Sequence, residues 1–323
     1  METHYVGIDI SKDSFDVCLC NSGKIVCRKF SYTEEGMEDF LGILGADSHC
    51  IMESTGVYHT RLSYYLYENK IKVSVLNPLV VKRYAQSLLV RTKTDKKDCQ
   101  LLQKYGIMHQ PDPWEPTPGH YVELQQMVNL QEQLLKQQTS YCNQLESINY
   151  SVKKNQLVIS LLREQLEQIK KNLEQLEKEM ETIIRRHDND KFDKLMSIPG
   201  IGKKTAIVFL SVTQGLSNFS SAKQLSSYFG LAPRIYESGS SIKGRAKICK
   251  MGMGLIRKLL YMCAWSACRF NHACHILYNR LVEAGKSKKL ALIAVANKLI
   301  KQAFAVIKNN TIFDNFLILK FAD

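Results

Sequence analysis

The sequence predicts an α/β domain followed by a mostly α-helical remainder. Three observations predict it. Strand and helix signals alternate over the first 110 residues. Four prolines stand within QPDPWEPTPG, residues 110–119, and break both helix and strand. Beyond them Leu, Gln, Glu and Lys recur at helical and heptad spacing.

In chain order, HYVGIDIS (4–11), DVCLC (16–20) and KIVCRKFSY (24–32) are rich in β-branched and aromatic residues, with a turn at NSGK. They predict a meander of antiparallel strands. EEGMEDFLGIL (34–44) has helical spacing, HCIMES (49–54) reads as a buried strand and YHTRLSYYLYENK (58–70) as an amphipathic helix. KVSVLN (72–77) is another strand, closed by Asn77-Pro78. Strands separated by helices make a mixed sheet covered by helices.

After the proline-rich boundary, Leu162, Leu166, Ile169, Leu173, Leu176, Met180 and Ile183 alternate four and three apart, a heptad seam. Leu124, Met127, Leu134, Tyr141, Leu145, Ile148 and Val152 continue the pattern, with polar gaps at Gln131 and Gln138. Two long helices therefore span roughly 120–187. They either fold back as a hairpin or pair between chains. The last part carries SIPGIGKKTA, a Gly/Ser/basic loop over 236–254, and the helical patterns LIRKLLYMCAWSACRF and KKLALIAVANKLIKQAFAVIK. The expected domains are 1–112, 113–190 and 191–323.

The net charge of +13 is uneven. Residues 191–323 hold 21 Lys+Arg against 5 Asp+Glu, the electrostatic footprint of a polyanion-binding domain. No apolar run approaches the roughly 18–20 residues that cross a bilayer, and METHYVGIDIS lacks the basic-then-apolar pattern of a secretory signal. A membrane partner is not expected. The ten cysteines then read as reduced thiols of a cytoplasmic protein rather than a disulfide framework.

The chemistry rests on acids placed at element ends. Asp9 closes the first strand in VGIDIS, and Glu53 closes a later one in CIMESTG. Strand ends are where sites assemble in open α/β sheets. In RTKTDKKDCQLL (91–102), Asp95 and Asp98 are three apart and share a helical face. Two readings compete for that pair: carboxylate ligands for a hard divalent cation, or a solvated surface paired with the flanking lysines. Four converging acids cannot all stay ionised without cations. Two Mg²⁺ ions about 3.5–4 Å apart would neutralise them and clamp a phosphodiester.

With these residues in this order, the chain resembles the insertion-sequence transposases that join a RuvC-like (RNase H-like) DEDD domain to a C-terminal serine transposase domain, the bridge-RNA-guided serine recombinases. The resemblance rests on YVGIDISKDSFDV, IMESTGVY, VSVLNP followed by KTDKKDCQLL, SIPGIGKKTA and YFGLAPRIYESGSSIKGRAKICKMG, and covers nearly the whole chain. It implies Asp9, Glu53, Asp95 and Asp98 as the acids that hold Mg²⁺ or Mn²⁺, and Ser238 as the nucleophile. It also implies double-stranded donor and target DNA, a guide RNA, a dimer or tetramer, and a bacterial, nucleoid-associated location.

No histidine lies near Ser238 in sequence to activate its hydroxyl. Arg234, Lys243, Arg245, Lys247 and Lys250 surround it and suit a phosphate substrate. Ser240 and Ser241 are adjacent rivals, and a plain flexible loop is the other reading. PGIGKKTA resembles the hairpin of a helix-hairpin-helix element, whose turn offers backbone N–H groups to phosphate, with Lys203 and Lys204 adding charge. Cys263, Cys268, His272, Cys274 and His275 do not match zinc-knuckle spacing, so core cysteines and surface histidines are the expectation. Three functions fit these features: a DNA recombinase, a metal-dependent Holliday-junction-type endonuclease using the acids alone, and a non-catalytic nucleic-acid-binding protein.

Overall fold

A computed structural model describes residues 3–21, 24–54, 56–90, 94–234, 237–238, 242–243 and 247–315. The chain divides into two compact units, residues 1–116 and 117–323.

The first unit is built on a five-stranded mixed sheet. Its strands are β1 (His4–Ile10), β2 (Ser14–Asn21), β3 (Lys24–Ser31), β4 (Ser48–Glu53) and β5 (Lys72–Leu76), in spatial order β3-β2-β1-β4-β5. The meander β1-β2-β3 is antiparallel, as its spacing predicts, while β4 and β5 run parallel to β1 and to each other. Strand side chains alternate between the two faces. Val6, Ile8, Phe15, Val17, Cys50 and Met52 point to one face and pack with Met37 and Phe40 of α1 (Glu34–Gly42) and Leu62 and Leu66 of α2 (Tyr58–Glu68).

The opposite face carries Gly7, Asp9, Ile51 and Glu53. It is covered by α3 (Pro78–Ser87) and α4 (Asp95–His109), through Val81, Leu101 and Leu102. Residues 78–87 are a helix that the strand-closing reading of Asn77-Pro78 leaves out. The Asn77 side chain caps the helix by accepting from Leu79 N at 2.9 Å, and Pro78 fills the first helical position, where its missing N–H costs nothing.

Two glycines set how closely α4 lies on the sheet. A Cβ at Gly7 of β1 would run into the Cys99 carbonyl oxygen and stand 2.5 Å from Gln103 N, both on α4. A Cβ at Gly106 of α4 would stand 2.8 Å from both Tyr5 and Ile51 side-chain carbons. The buried Gln103 amide donates to the Tyr5 carbonyl at 3.1 Å, tying the helix to β1.

In the second unit, α5 (Gly119–Asn149) and α6 (Gln156–Met196) fold back on each other as an antiparallel hairpin within one chain. Tyr121 meets Asp188, and Gln131 donates to Glu177 at 3.1 Å, so one polar gap in the seam is satisfied across the hairpin. Ile169, Met180 and Ile183 of the seam are buried. Leu162, Leu166, Leu173 and Leu176 are only partly covered. The second helix runs nine residues beyond 187, past a break in helical geometry at Asp188 (φ −138°, ψ 34°). There the buried Asp188 accepts from Tyr121 and pairs with Lys191 at 2.7 Å.

The remainder is α7 (Lys203–Thr213), α8 (Ala222–Tyr228), α9 (Gly254–Phe270), α10 (His272–Glu283) and α11 (Lys288–Lys308). They pack on the end of α6 through Phe192, Leu195, Phe209, Phe229, Leu260 and Leu299. In and just before the loop expected over 236–254 stand two short antiparallel pairs, β6 (Pro233–Arg234) with β9 (Lys247–Ile248) and β7 (Glu237–Ser238) with β8 (Ile242–Lys243). By length and mean hydropathy α11 could span a membrane, unlike the sequence expectation, but it buries Ala291, Leu292, Val295, Ala296, Leu299, Ile300, Ala303 and Val306 in this core.

Gly7→Ala overpacks the β1–α4 contact, which costs about 1–3 kcal/mol. Gly42→Ala, where a Cβ meets nothing within 4 Å, is neutral or slightly stabilising. Urea denaturation of the two variants checks this contrast.

Candidate active site

Asp9 and Glu53 reach one edge of the sheet by register. Ile8 pairs with Met52 in the parallel β1–β4 ladder, so the next residues of each strand, Asp9 and Glu53, emerge side by side. Both lie on the face that carries Gly7 and Ile51, the face that α4 covers. Asp95 is the first residue of α4 and Asp98 the fourth. Thr94 starts this helix by accepting from Lys97 N at 3.3 Å. The helix N-terminus favours acids in its first turn, which offsets part of the repulsion between them.

Asp98, Asp95, Glu53 and Asp16 all act electrostatically on Asp9, but no three of these acids bring carboxylate oxygens within 4.8 Å of one another. The Asp9 pKa is pushed up to about 6, first by burial, then by the charges of Asp98, Asp95, Glu53 and Asp16 in falling order. A hard divalent cation fits the oxygen-only donor set of Asp9, Glu53, Asp95 and Asp98.

Asp16 is a fifth carboxylate that sequence reasoning missed. It is the cross-strand partner of Asp9 in the β1–β2 hairpin and pairs with Lys29 at 3.6 Å. The signal was available: a tight Ser11–Asp13 connection fixes the hairpin register. A cleft of about 870 Å³ in the same unit lies at the other end of β1, lined by His4, Tyr5, Leu44 and Gln103, away from the acids.

In the second unit, Ser238 pairs with Ile242, and Glu237 with Lys243, in the β7–β8 ladder. Arg234 is exposed in β6, opposite Lys247 of β9. Lys250 is exposed at φ 59°, its N–H bonded to the Gly230 carbonyl at 3.0 Å. Arg245, Ser240 and Ser241 lie outside the described residues. The PGIG turn sits tight on α9, where a Cβ at Gly200 (φ 107°) would stand 2.8 Å from Ala267 Cβ. It leads into α7, where Lys203 pairs with Glu181 at 3.0 Å and burial holds Lys204 below the usual lysine range. Near the C-terminus, Cys263 and Cys274 are core residues. Cys263 Sγ contacts Thr205 Oγ1 at 3.2 Å, and the His275 ring lies 2.9 Å from the Cys268 carbonyl.

A DEDD transposase model of this family matches residues 6–148, and the model described as "Transposase IS116/IS110/IS902 family" matches residues 193–279. The chain belongs to the IS110/IS116/IS902 family of transposases. Among its relatives are the pilin gene-inverting proteins of Moraxella lacunata and Moraxella bovis. They are 33% and 34% identical, each over 97% of this chain and 98% of its own length. A transposase for insertion sequence element IS1111A from Coxiella burnetii is 20% identical over 79% of this chain and 75% of its own.

The raised Asp9 pKa fixes the sign of a pH effect. A carboxyl raised in the fold favours folding while protonated, and that advantage is lost as pH rises through about 6. In EDTA, the wild-type protein should therefore lose thermal stability relative to Asp9→Asn between pH 5 and 7.5. Mg²⁺ at pH 7.5 should raise the wild-type melting temperature and leave Asp9→Asn unmoved. Thermal scans of both proteins with and without Mg²⁺ check both signs.

Proposed function

We propose that this transposase cuts and rejoins DNA strands with two sets of groups: the acids Asp9, Glu53, Asp95 and Asp98, and the hydroxyl of Ser238. The observation that carries the reading is that Asp9, at a strand end, feels the charges of Asp98, Asp95, Glu53 and Asp16. The strand order β3-β2-β1-β4-β5 with an antiparallel first hairpin supports a RuvC-like, RNase H-like domain. The printed name of the Moraxella relatives, gene-inverting proteins, supports DNA rearrangement as the outcome.

The acids would hold Mg²⁺ or Mn²⁺, which supplies Lewis acidity toward a phosphodiester oxygen. Asp9 and Glu53 are held by strands and Asp95 and Asp98 by a capped helix turn, and a bound ion would draw their carboxylates closer together. The Ser238 oxygen attacks phosphorus, a bridging P–O bond of the strand breaks, and the hydroxyl proton ends on the released deoxyribose oxygen. The resulting phosphoserine keeps the energy of the broken ester, and a second strand end reverses the step. Arg234, Lys243, Arg245, Lys247 and Lys250 would offset phosphate charge around Ser238. Lys203, Lys204 and the PGIG turn would hold backbone phosphates without reading bases.

Sequence choice by a guide RNA follows from the resemblance of YESGSS and the acid motifs to the bridge-RNA-guided enzymes, and sequencing of co-purifying RNA tests it. Assembly into a dimer or tetramer is supported by the partly covered α5–α6 seam. Tyr150, Val152, Leu157 and Leu161 are also exposed near the hairpin tip. Light scattering should give at least a dimer on DNA, and a monomer with and without nucleic acid would contradict it.

Ser238→Ala should keep its fold and lose all covalent protein–DNA adduct on a suicide substrate resolved by denaturing gel. Asp95→Asn should lose strand cleavage as well. An adduct that persists in Ser238→Ala, or that maps to Ser240 or Ser241, would show the wrong nucleophile. Junction cutting that survives Ser238→Ala would favour an endonuclease that uses the acids alone.

A further inference from the structure

Behind the acids, on the same α4-covered face of the sheet, three cysteines meet. Cys18 of β2 and Cys27 of β3 are direct cross-strand partners, and Cys99 of α4 comes down on them from the helix. All three sulfurs lie within 4.8 Å of one another, the one such three-ligand cluster of Cys, His or acid among the described residues. Cys18 and Cys99 are fully buried and Cys27 is half-buried. None of the three belongs to the acid site, and no DNA chemistry described above uses them.

We propose that Cys18, Cys27 and Cys99 form a binding site for a soft, thiophilic cation of the Zn²⁺ class, distinct from the hard-cation site of the acids. Three arguments lead there. Cys18 Sγ meets both Cys27 Sγ and Cys99 Sγ. One sulfur makes one disulfide, so a disulfide would leave a third thiol packed against it, whereas one ion uses all three. Thiolates on a tetrahedral zinc ion, at about 2.3 Å each, stand about 3.8 Å apart; the sulfurs crowd closer than that around Cys18, so they would move apart on binding. The surroundings also suit bound thiolates. The Gln100 amide donates to Cys27 Sγ at 3.6 Å, and the Lys96 carbonyl oxygen lies 3.2 Å from Cys99 Sγ and 3.7 Å from Cys18 Sγ, placing an oxygen beside two of the sulfurs as a candidate fourth ligand. Soft thiolates select against Mg²⁺, so the two sites do not compete for one metal. On binding, each thiol gives up its proton to solvent, and no electron is transferred.

The consequence is mechanical. Cys99 follows Asp98 directly, so an ion on the three sulfurs pins the first turn of α4 to β2 and β3. That is the turn which carries two of the acids.

The test uses the full-length protein, purified under reducing, anaerobic conditions, stripped of metal and titrated with Co²⁺ in excess Mg²⁺. One equivalent of Co²⁺ should bind with a thiolate-to-cobalt charge-transfer band, and one equivalent of Zn²⁺ should displace it. The band should be lost in Cys27→Ser and Cys99→Ser and kept in Cys142→Ser, an exposed cysteine in α5. Because Cys99→Ser alters a buried position, zinc protection of the wild-type cysteines from alkylation, mapped by mass spectrometry, is the second measurement. The proposal is overturned if no charge-transfer band forms in the wild-type protein, or if Cys27→Ser leaves the band intact. It is also overturned if a Cys18–Cys27 or Cys18–Cys99 disulfide is the form found in cells lysed into alkylating agent.

Discussion

The seating of α4 on β1 at Gly7 is the contact on which the rest of the first unit depends. A side chain there would meet helix backbone, which cannot step aside as a flexible side chain can. The answering glycine on the helix, Gly106, lets Tyr5 and Ile51 close against it. With the helix this near, its first turn delivers Asp95 and Asp98 to the strand end where Asp9 and Glu53 already stand. A shift of an ångström would cost less in stability than in ligand geometry, since hard cations demand their oxygens within narrow distances.

The arrangement stores electrostatic repulsion. The Asp9 carboxyl is pushed up to about 6 by burial and by the charges of Asp98, Asp95, Glu53 and Asp16. The helix N-terminus and the Thr94 cap offset a part of this at low cost. Residues 191–323, by contrast, are strongly positive, the balance that suits a polyanion partner.

Much of this was legible in the sequence, and the exceptions have physical reasons. The β1–β5 strands and the helices α1 and α2 follow from their apolar runs and helical spacing. The third helix was missed because Asn77-Pro78 marks a helix start as readily as a strand end. A heptad seam looks the same whether its partner helix is in the same chain or another, so only the Tyr121–Asp188 and Gln131–Glu177 contacts show the hairpin. Periodicity is blind to the break at Asp188, which arises from a buried carboxylate bonded to Tyr121 and Lys191. The four acids were readable as strand-end and i,i+3 residues. Asp16 was readable from the tight β1–β2 connection, but the three cysteines were not, because they depend on a helix docking from 72 or more residues away in sequence.

The central claim is that Asp9, Glu53, Asp95 and Asp98 form one divalent-cation site. Anomalous diffraction from crystals of the full chain grown with Mn²⁺ tests it most directly. The account predicts an anomalous peak bounded by the carboxylates of Asp9 and Asp98, with Glu53 and Asp95 in the same cluster. A peak elsewhere, or no peak at saturating Mn²⁺ with Asp9 and Asp98 carboxylates held apart, would contradict it.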